Sequence, residues 1–518
     1  MAKRFRLTTG AKVFIVIVAV ALIAGGIYGG LKSGFIKNDI KPEYDADGNV
    51  MNVVKDNKDT INISLDEWIG WKSIIDANGG LKTQAGSIYD KLGIDVNISV
   101  INDAEQSSNA LISKKIDAAG YTINRTAILS EKFKEAGINV IMPYITNFSN
   151  GGDGIIANSS INSITDLVNA RIGIPELSEA HSLVVWFINQ SDLPAADKAS
   201  IITNLIKFDT PDEAALAFFA GELDVAATWE PYLTQAQDTA DAHILFSTAS
   251  SSSLIMDGIV FNEEFAKANP DVVSKFIQGS LMAADMYDSE PDSIRKVMPG
   301  FATMSDKAIK EQCAGAKLTT YADNLNLFNG TAKTIYTDMC GVWESIGEKV
   351  NRDLVNTLYD GKYIEALAND FSDSTLTQLD HKPVITDENK DEVIDAEALL
   401  KKSASVNFII NTAKFTNSQE ATEKLNDFIS IAKVLDGTII EIAGNTDPNP
   451  TTDPEDTANK LLSEQRAETV KQYFILNGIA PERIIAVGNG SSNPVVANDT
   501  EEHKAMNRRT DVSFKIIE

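Results

Sequence analysis

Between residues 61 and 373 the chain alternates short apolar runs with amphipathic stretches, and this pattern constrains its fold more strongly than any other feature. The runs at 61–65 and 93–100 are short, rich in β-branched residues and typical of strands. The stretches at 212–220 and 270–287 repeat apolar residues with a helical period. Further strands are predicted at 139–142, 171–174 and 225–228. Strands that alternate with helices build α/β layers, so the pattern predicts an α/β fold.

Several phrases in this region resemble the type 2 periplasmic solute-binding proteins that serve nitrate, taurine and alkanesulfonate transporters. The phrases are SNGGDG at 149–154, ITDL at 164–167, AALAFFAGELD at 214–224 and WEPY at 229–232. The closest resemblance is to the branch associated with urea carboxylase and guanidine use, and it is carried by Gly70 with Trp71, by 177–181 and by Asp257. The resemblance implies two α/β lobes across 61–373.

In a two-lobed α/β fold, a ligand lies between the lobes at strand ends and helix N-termini. The residues that follow the predicted strands are therefore the candidate ligand contacts: Trp68, Trp71, Thr122, Asn150, Asp153, Ser178, His181, Trp229, Glu230 and Asp257. Each also has a purely structural interpretation. Residues 150–152 fit a plain turn, Ser178 a helix cap, Trp229 a core aromatic, and His181 a capping or core histidine.

The chemistry of these candidates favours a cationic or urea-like solute. Asp153, Glu230 and Asp257 are acidic, the tryptophans offer π faces, and the matched phrases contain no lysine or arginine. The nearest basic residues are Arg125 and Arg171. A sulfonate or nitrate site needs positive charge or helix-terminal amides, and the amides stay open as an alternative.

Near the C-terminus, three short blocks follow one another in a fixed order. They read GNTD at 444–447, NKLLSEQRA at 459–467 and NRR at 507–509. This order resembles the OmpA-like peptidoglycan-binding domain, whose pattern is G-H-T-D, N-x-x-L-S-x-x-R-A and N-R-R. The chain departs from that pattern at Asn445, which stands where histidine is commoner, and in a longer 448–457 stretch.

The C-terminal blocks also make physical sense by themselves. Asn459, Ser463 and Arg466 are spaced to share one helix face, and the alternating 438–443 run predicts a strand that ends just before Asp447. A carboxylate beside a guanidinium suits a zwitterion, which by resemblance is the diaminopimelate end of the peptidoglycan stem peptide. The candidate peptidoglycan contacts are Thr446, Asp447, Asn459, Ser463, Arg466, Arg508 and Arg509. A structural Asp447–Arg466 salt bridge is the alternative, and the 508–509 arginines could instead pair with acids of the sheet.

An uncharged run at 13–31 follows a basic tail at 1–12. As a helix the run would be about 28 Å long, enough to cross a bilayer core. The tail then predicts a cytoplasmic N-terminus, with everything after Leu31 outside the inner membrane in a single-pass topology. A cleaved signal peptide, with small residues at 19–21, is the alternative.

The domains predicted from these patterns are the basic tail 1–12, a transmembrane anchor 13–31, a linker 32–60, a two-lobe solute-binding domain 61–373, a linker 374–404 and an OmpA-like domain 405–518. Within the first linker, residues 47–49 fit a hairpin turn better than an incomplete calcium loop. Cys313 and Cys340 are too few for a disulfide scaffold or a thiolate metal site, and pairing or burial as thiols both stay open.

Composition and motifs exclude several functions. The net charge of −27 argues against a nucleic-acid partner. Nucleotide-binding, nucleophile-elbow and zinc-protease motifs are all missing from the sequence, so we expect no enzyme, no cofactor and no metal.

The expected protein is a membrane-anchored, extracytoplasmic solute-binding protein of an ABC-type uptake system, tethered to peptidoglycan and served by a permease. The alternative is a cell-wall-anchored sensor or structural protein that uses its lobes without transport.

Overall fold

The computed structural model describes most of the chain after the predicted N-terminal anchor. The described residues are 43–44, 50–51, 59–286, 289–377, 383–404, 408, 412–415, 418–448 and 456–517. The anchor predicted at 13–31 lies outside them. Within the described ranges, no helix is both long and apolar enough to cross a membrane.

The strands are numbered in chain order. They are β1 Glu43–Tyr44, β2 Val50–Met51, β3 Thr60–Leu65, β4 Asp95–Val100, β5 Ala118–Thr122, β6 Val140–Ile141, β7 Ile145–Ser149, β8 Asp153–Asn158, β9 Ile172–Pro175, β10 Ile206–Phe208, β11 Val225–Trp229, β12 Ala242–Ser247, β13 Met256–Asn262, β14 Ala316–Leu318, β15 Leu400–Ala404, β16 Ile439–Gly444, β17 Ile484–Gly488 and β18 Thr510–Lys515.

The α-helices are numbered in the same way. They are α1 Lys72–Asn78, α2 Ile88–Leu92, α3 Ala104–Ile112, α4 Ile123–Glu135, α5 Glu179–Gln190, α6 Ala195–Thr203, α7 Pro211–Phe219, α8 Tyr232–Gln237, α9 Glu263–Ala268, α10 Pro270–Asp285, α11 Asp292–Val297, α12 Asp306–Ala314, α13 Tyr321–Asn326, α14 Ala332–Ser345, α15 Val355–Leu358, α16 Lys362–Glu365, α17 Lys390–Asp395, α18 Ser418–Val434, α19 Thr457–Leu476 and α20 Glu501–Asn507.

Two sheets form the two lobes. The first lobe has the order β14-β7-β13-β5-β3-β4, with β6 pairing to β13, and the second has the order β10-β9-β11-β8-β12. Strands β3, β4 and β5 run parallel, and β13 runs antiparallel to β5. Helices pack on both lobes and give them the α/β layers predicted from the sequence.

The chain passes between the two sheets twice. It leaves the first lobe at the end of β7 and enters the second at Asp153, so residues 150–152 form the first crossover. It returns between the end of β12 and Met256, so residues 248–255 form the second crossover. These two segments are therefore the covalent connections between the two sheets.

Helix α14 ties the two lobes together from the side. It packs against α4 of the first lobe and α5 of the second. The indole of Trp343 is fully buried there, and its Nε1 donates to the carbonyl of Asn124 at 3.0 Å. Helix α14, which follows the last strand of the first lobe in sequence, is therefore part of the two-lobe body.

The C-terminal domain is a four-stranded sheet of order β15-β18-β16-β17 with α18 and α19. Its edge strand β15 lies inside the stretch predicted as a linker, 374–404, and pairs antiparallel with β18. The same stretch contains helix α17. Burial of Val393, Leu399 and Leu400 explains the order of this segment, because three apolar residues among many charges produce no readable period.

Two smaller predictions concern the turn in the first linker and the two cysteines. Strands β1 and β2 pair antiparallel, and the turn predicted at 47–49 lies outside the described residues. Cys313 and Cys340 are both buried thiols in different hydrophobic clusters, so they do not form a disulfide with each other.

A glycine fixes the approach of α19 to the sheet, and we expect its replacement to destabilise the C-terminal domain. A Cβ on Gly444 would lie 2.1 Å from the carbonyl oxygen of Ser463, a backbone atom that cannot move alone. Gly444→Ala should therefore lower the free energy of unfolding by about 1–3 kcal/mol in urea titrations.

The matched control is Gly341→Ala in α14, where a Cβ would meet only the end of Arg352 at 3.6 Å. It should be neutral or stabilise by up to about 1 kcal/mol through helix propensity. Equal stabilities for the two variants would contradict the close approach of strand and helix.

Candidate functional site

Three carboxyl groups, two buried and that of Asp66 half-buried, meet where the lobes face each other. Asp66 follows β3, Asp257 lies in β13 of the same sheet, and Asp153 begins β8 in the second lobe. Each of the two carboxyls of the first lobe repels that of Asp153 electrostatically. We call Asp66, Asp153 and Asp257 the acidic cluster.

The three carboxyls are unequally supplied with hydrogen bonds. An Asp66 oxygen accepts the Trp71 indole N–H at 2.6 Å and the Trp68 amide at 3.2 Å. An Asp153 oxygen accepts the hydroxyl of Ser149 at 2.7 Å. Oδ2 of Asp257 is buried and accepts no hydrogen bond from the described residues; the Trp68 indole N–H donates to Asn147 Oδ1 at 2.8 Å and acts on the Asp257 carboxyl only by lowering its pKa against the larger effect of burial. A buried carboxylate oxygen without a hydrogen-bond donor costs free energy, so a group that donates a hydrogen bond to Asp257 would stabilise this site.

Burial dominates the protonation of the cluster. It raises the pKa of Asp153 to about 7 and that of Asp257 well above its ordinary value of 3.8. It also raises the pKa of Asp66. Repulsion among the three carboxyls and from Glu179 acts in the same direction, because each negative charge disfavours ionisation of its neighbours. Without a cation nearby, the cluster holds protons that exposed aspartates would have lost.

The nearby arginine compensates the cluster only in part, through a weak attraction to Asp66, because it already has a partner. Arg125, in the first turn of α4, donates to the Glu179 carboxylate at 2.9 Å from Nη2 and 3.2 Å from Nε. The Thr122 hydroxyl donates to the same carboxylate at 2.9 Å. Burial opposes ionisation of Glu179, but Arg125 outweighs it and lowers the pKa of that carboxyl. The pair is neutral overall and joins the two lobes.

A group with positive charge and N–H donors matches this geometry. It would supply the donor that Asp257 lacks and the charge that three carboxyls of one sign require. An anion would instead place negative charge beside carboxyls whose ionisation is already disfavoured. An ammonium, guanidinium or amidinium group would therefore be chemically compatible with this arrangement.

Three other predicted contacts surround the cluster. Trp68 is half-buried and its Nε1 donates to Asn147 Oδ1 at 2.8 Å. Trp71 is fully buried, so it positions Asp66 from beneath and presents no free face. Thr122 lies directly across the sheet from Asp257 and begins α4 as its cap.

Two predicted contacts have the structural roles that were open as alternatives. Ser178 caps α5, with its hydroxyl accepting the amide of His181 at 3.2 Å. The His181 ring is buried, accepts the amide of Leu177 at 3.1 Å and lies edge-on to Trp343. Burial lowers the pKa of His181 to about 4, so the ring is neutral at physiological pH.

Three more of the predicted ligand contacts lie near the first crossover and are not part of the acidic cluster. Glu230 accepts the amide of Thr234 at 3.2 Å and so caps the following helix. Trp229 is 39% exposed, which rules out a core aromatic, and its Nε1 donates to Asp212 at 3.2 Å. Asn150 bonds through its backbone as part of the crossover.

Sequence reasoning missed four residues of the site: Asp66, Asn147, Glu179 and Arg125 as the partner of Glu179. Asp66 directly follows a predicted strand, which is the signal that selected its neighbours. Asn147 lies inside a strand, and the ion pair joins residues 54 positions apart. No local pattern identifies the last two features.

The second candidate site lies at the end of β16. Asp447 Oδ2 pairs with Arg508 at 3.1 Å, and the Asn459 amide approaches the Asp447 carbonyl at 3.4 Å. The guanidinium of Arg466 lies 5.0 Å from the ring centre of Phe408, and its Nε donates to the carbonyl of Thr412 at 3.1 Å. The alternative Asp447–Arg466 salt bridge is not among the ion pairs of the described residues.

Three predicted peptidoglycan contacts are internal to the domain. The Ser463 hydroxyl accepts the amide of Gly490 at 2.9 Å. Arg509 is buried and donates twice to Asp511, at 2.9 Å each, so it pairs with an acid of its own sheet. Thr446 is buried, and its hydroxyl has no partner within the described part of the chain.

The chain matches two protein families in separate regions. Residues 84–294 match the family described as NMT1/THI5 like, and residues 407–508 match the OmpA family. Each match covers less than half of the chain, so the chain contains one region similar to the NMT1/THI5-like family and one region similar to the OmpA family. The assignment to the urea carboxylase and guanidine branch stays a prediction.

Individual proteins are similar to parts of the chain. Outer membrane porin F of Pseudomonas fluorescens is 42% identical over 100 residues, 19% of this chain and 28% of that protein. Peptidoglycan-binding protein ArfA of Mycobacterium bovis is 44% identical over 54 residues, 10% of this chain and 17% of that protein. The chain thus spans less than a third of either relative. The structure of the periplasmic aliphatic sulphonate binding protein SsuA from Escherichia coli has a TM-score of 0.45 and 14% identity, and the match covers 59% of this chain and 99% of that one.

The raised pKa values predict that the ligand-free protein loses stability as the pH rises. An aspartate of the unfolded chain ionises near 3.8, whereas folded Asp153 keeps its proton up to about 7. Between these values the folded state binds more protons, so the free energy of unfolding falls with pH. Asp153→Asn cannot ionise and should remove that part of the fall, which is several kcal/mol at about 1.4 kcal/mol per unit of pKa.

Urea titrations of both proteins at about pH 4.5 and pH 7 measure this contribution. Asp224→Asn is the control, because Arg171 lowers the pKa of Asp224 and its contribution has the opposite sign. A difference between wild type and Asp153→Asn that is the same at both pH values would contradict the buried, proton-holding cluster.

Proposed function

We propose that the protein is an extracytoplasmic solute-binding protein of an ABC-type uptake system, attached to peptidoglycan by its C-terminal domain and to the inner membrane by residues 13–31. The matched families support the first two parts, and the membrane anchor is a prediction from the sequence. The solute is a small polar cation with N–H donors. The unpaired buried oxygen of Asp257, inside a cluster of three acids, carries this assignment.

Charge balance is the argument for a cation over a sulfonate or nitrate. The cleft contains the acidic cluster and one ion pair, Arg125 with Glu179. An anion could recruit Arg125 only by breaking that pair and leaving Glu179 buried without a counter-charge, which is strongly unfavourable. A cation can bind without disrupting any observed hydrogen bond and converts repulsion inside the cluster into attraction.

The proposed wall contact uses two groups of the C-terminal domain. Asp447 has one oxygen beside Arg508, and it can accept further hydrogen bonds from an ammonium group. Arg466 uses Nε for a backbone carbonyl, and its two terminal nitrogens are the donors for a carboxylate. Together they suit the ammonium and carboxylate of a diaminopimelate stem peptide.

A wall-anchored sensor is the second candidate function. One observation favours it: the C-terminal domain hydrogen-bonds to the second crossover through Ser250 and Ser252. A receptor that only delivers solute to a permease has no need of that contact.

Substitution in the acidic cluster should weaken cation binding. We expect guanidinium or methylammonium, but not methanesulfonate or nitrate, to bind the full chain in calorimetry. Asp257→Asn and Asp153→Asn should each reduce the affinity about tenfold or more, since a hydrogen bond to a charged group contributes about 1.5–3 kcal/mol.

Asp224→Asn is the control for these variants, because it also neutralises one aspartate, which is half-buried and lies at the opposite end of β11 from the cluster. Binding of the anions alone would refute the charge argument. Unchanged cation affinity in both cluster variants would place the solute elsewhere.

Wall binding should depend on the shape of the Arg466 side chain as well as its charge. Arg466→Lys keeps the charge but loses the planar fork, and Asp447→Ala leaves the ligand ammonium without its acceptor. Each should reduce co-sedimentation of the full chain with purified peptidoglycan sacculi by about tenfold in affinity.

Arg171→Lys, on the surface of the second lobe, is the matched control and should co-sediment like wild type. All variants should first give wild-type circular dichroism spectra. Folded Arg466→Lys and Asp447→Ala proteins that co-sediment like wild type would remove these residues from the wall site.

A further inference from the structure

The C-terminal domain contacts the segment on which the two lobes hinge. The turn after α18 lies against the second crossover, residues 248–255. There the carboxylate of Asp436 accepts the amide of Ser252 at 2.8 Å from one oxygen and its hydroxyl at 2.5 Å from the other. The Ser251 hydroxyl donates to the carbonyl of Val434 at 2.6 Å.

A glycine makes this contact possible. The amide of Gly437 donates to the carbonyl of Ser250 at 3.1 Å. A Cβ on Gly437 would lie 2.7 Å from the Cα of Ser250 and 3.0 Å from the carbonyl oxygen of Ala249. Since backbone lines the contact on both sides, any other residue at 437 would push the turn away from the crossover.

The second crossover in turn holds the first crossover and the acidic cluster. Oγ1 of Thr248 accepts the amide of Gly151 at 2.9 Å, lies 2.8 Å from the hydroxyl of Ser149 and donates to the carbonyl of Asp153 at 3.2 Å. The Thr248 carbonyl accepts the amide of Ser251. A continuous set of hydrogen bonds thus runs from the C-terminal domain to a carboxyl residue of the cleft.

The domain is also fastened to the second lobe. The carbonyl of Leu399 accepts the amide of Ile164 at 3.2 Å, and the amide of Ser403 donates to Asp192 at 2.5 Å. Residues of α18 belong to the same hydrophobic cluster as Trp186 of α5. The C-terminal domain therefore holds the second lobe and the crossover at once.

We propose that this contact gives the protein a further function, the coupling of solute binding to wall attachment. Two-lobed proteins open and close by changing backbone dihedrals at a few hinge residues. A domain that forms hydrogen bonds to one hinge stabilises the arrangement of the lobes in which those hydrogen bonds have the best geometry. By linkage, a solute that closes the cleft then changes the affinity of the C-terminal domain for the wall, and wall attachment changes solute affinity by the same factor. The link to solute and wall rests on the proposed function, whereas the grip on the hinge does not.

Amide hydrogen exchange of the full chain tests the grip without any ligand. Gly437→Ala should accelerate exchange about tenfold at both crossovers, which corresponds to about 1.4 kcal/mol in opening free energy. The decisive region is 149–154, since its hydrogen bonds run to the second crossover and to the lobes. Gly361→Ala is the control, because a Cβ there meets neighbours only at ordinary contact distances.

Ser252→Ala covers the case in which Gly437→Ala disturbs the C-terminal fold. It removes only the hydroxyl bond to Asp436 and should produce the same pattern with smaller amplitude. Acceleration confined to 248–255 or to the C-terminal domain, with 149–154 unchanged in both variants, would overturn the proposal.

Co-sedimentation with sacculi in the presence and absence of millimolar guanidinium then measures the coupling. We expect guanidinium to shift the affinity of the wild type for sacculi several-fold, and the shift to vanish in Gly437→Ala although each ligand still binds. Independent affinities in a wild type that binds both ligands would overturn the coupling. Failure of guanidinium to bind would instead contradict the proposed solute, and the exchange experiment still decides the grip on the hinge.

Discussion

The hydrogen bonds of the Thr248 hydroxyl are the interactions on which the arrangement of the two lobes depends. This hydroxyl joins the two crossovers at the only places where the chain passes between the described sheets of the lobes, and it bonds to the backbone of Asp153. The cleft, the hinge and the docking surface for the C-terminal domain all meet within a few residues of it. Because one hydroxyl contacts both crossovers, a displacement of either segment reaches the acidic cluster directly.

The acidic cluster couples the proposed binding to stability. Desolvation of its carboxyls raises their pKa values and disfavours the ligand-free fold near neutral pH. In the proposed function, the same lack of compensation would drive cation binding, since a cation supplies the missing charge and the missing donor. By contrast, Arg125 and Glu179 satisfy each other, and the pair serves to hold the lobes at a defined distance.

The sequence predicted the α/β character of both regions, and the strands and helices lie close to the predicted ranges. It predicted two of the three cluster carboxyls, Asp153 and Asp257, because each belongs to a recognisable phrase. It also selected His181 and Glu230, whose side chains turn out to serve local capping and core roles. Residue type and position after a strand cannot distinguish these cases, since the direction of a side chain depends on what packs beside it.

What the sequence determined by itself is local: periodicity, a helix cap at Ser178 and the order of the three C-terminal blocks. Only the tertiary structure decided which charges are compensated. Arg125 is neutralised by a residue 54 positions away, Asp66 joins acids from two other strands, and Asp436 meets Ser252 across 184 positions. Electrostatic energy depends on distance and burial in space, and these are properties of the packed chain that no spacing along the sequence records.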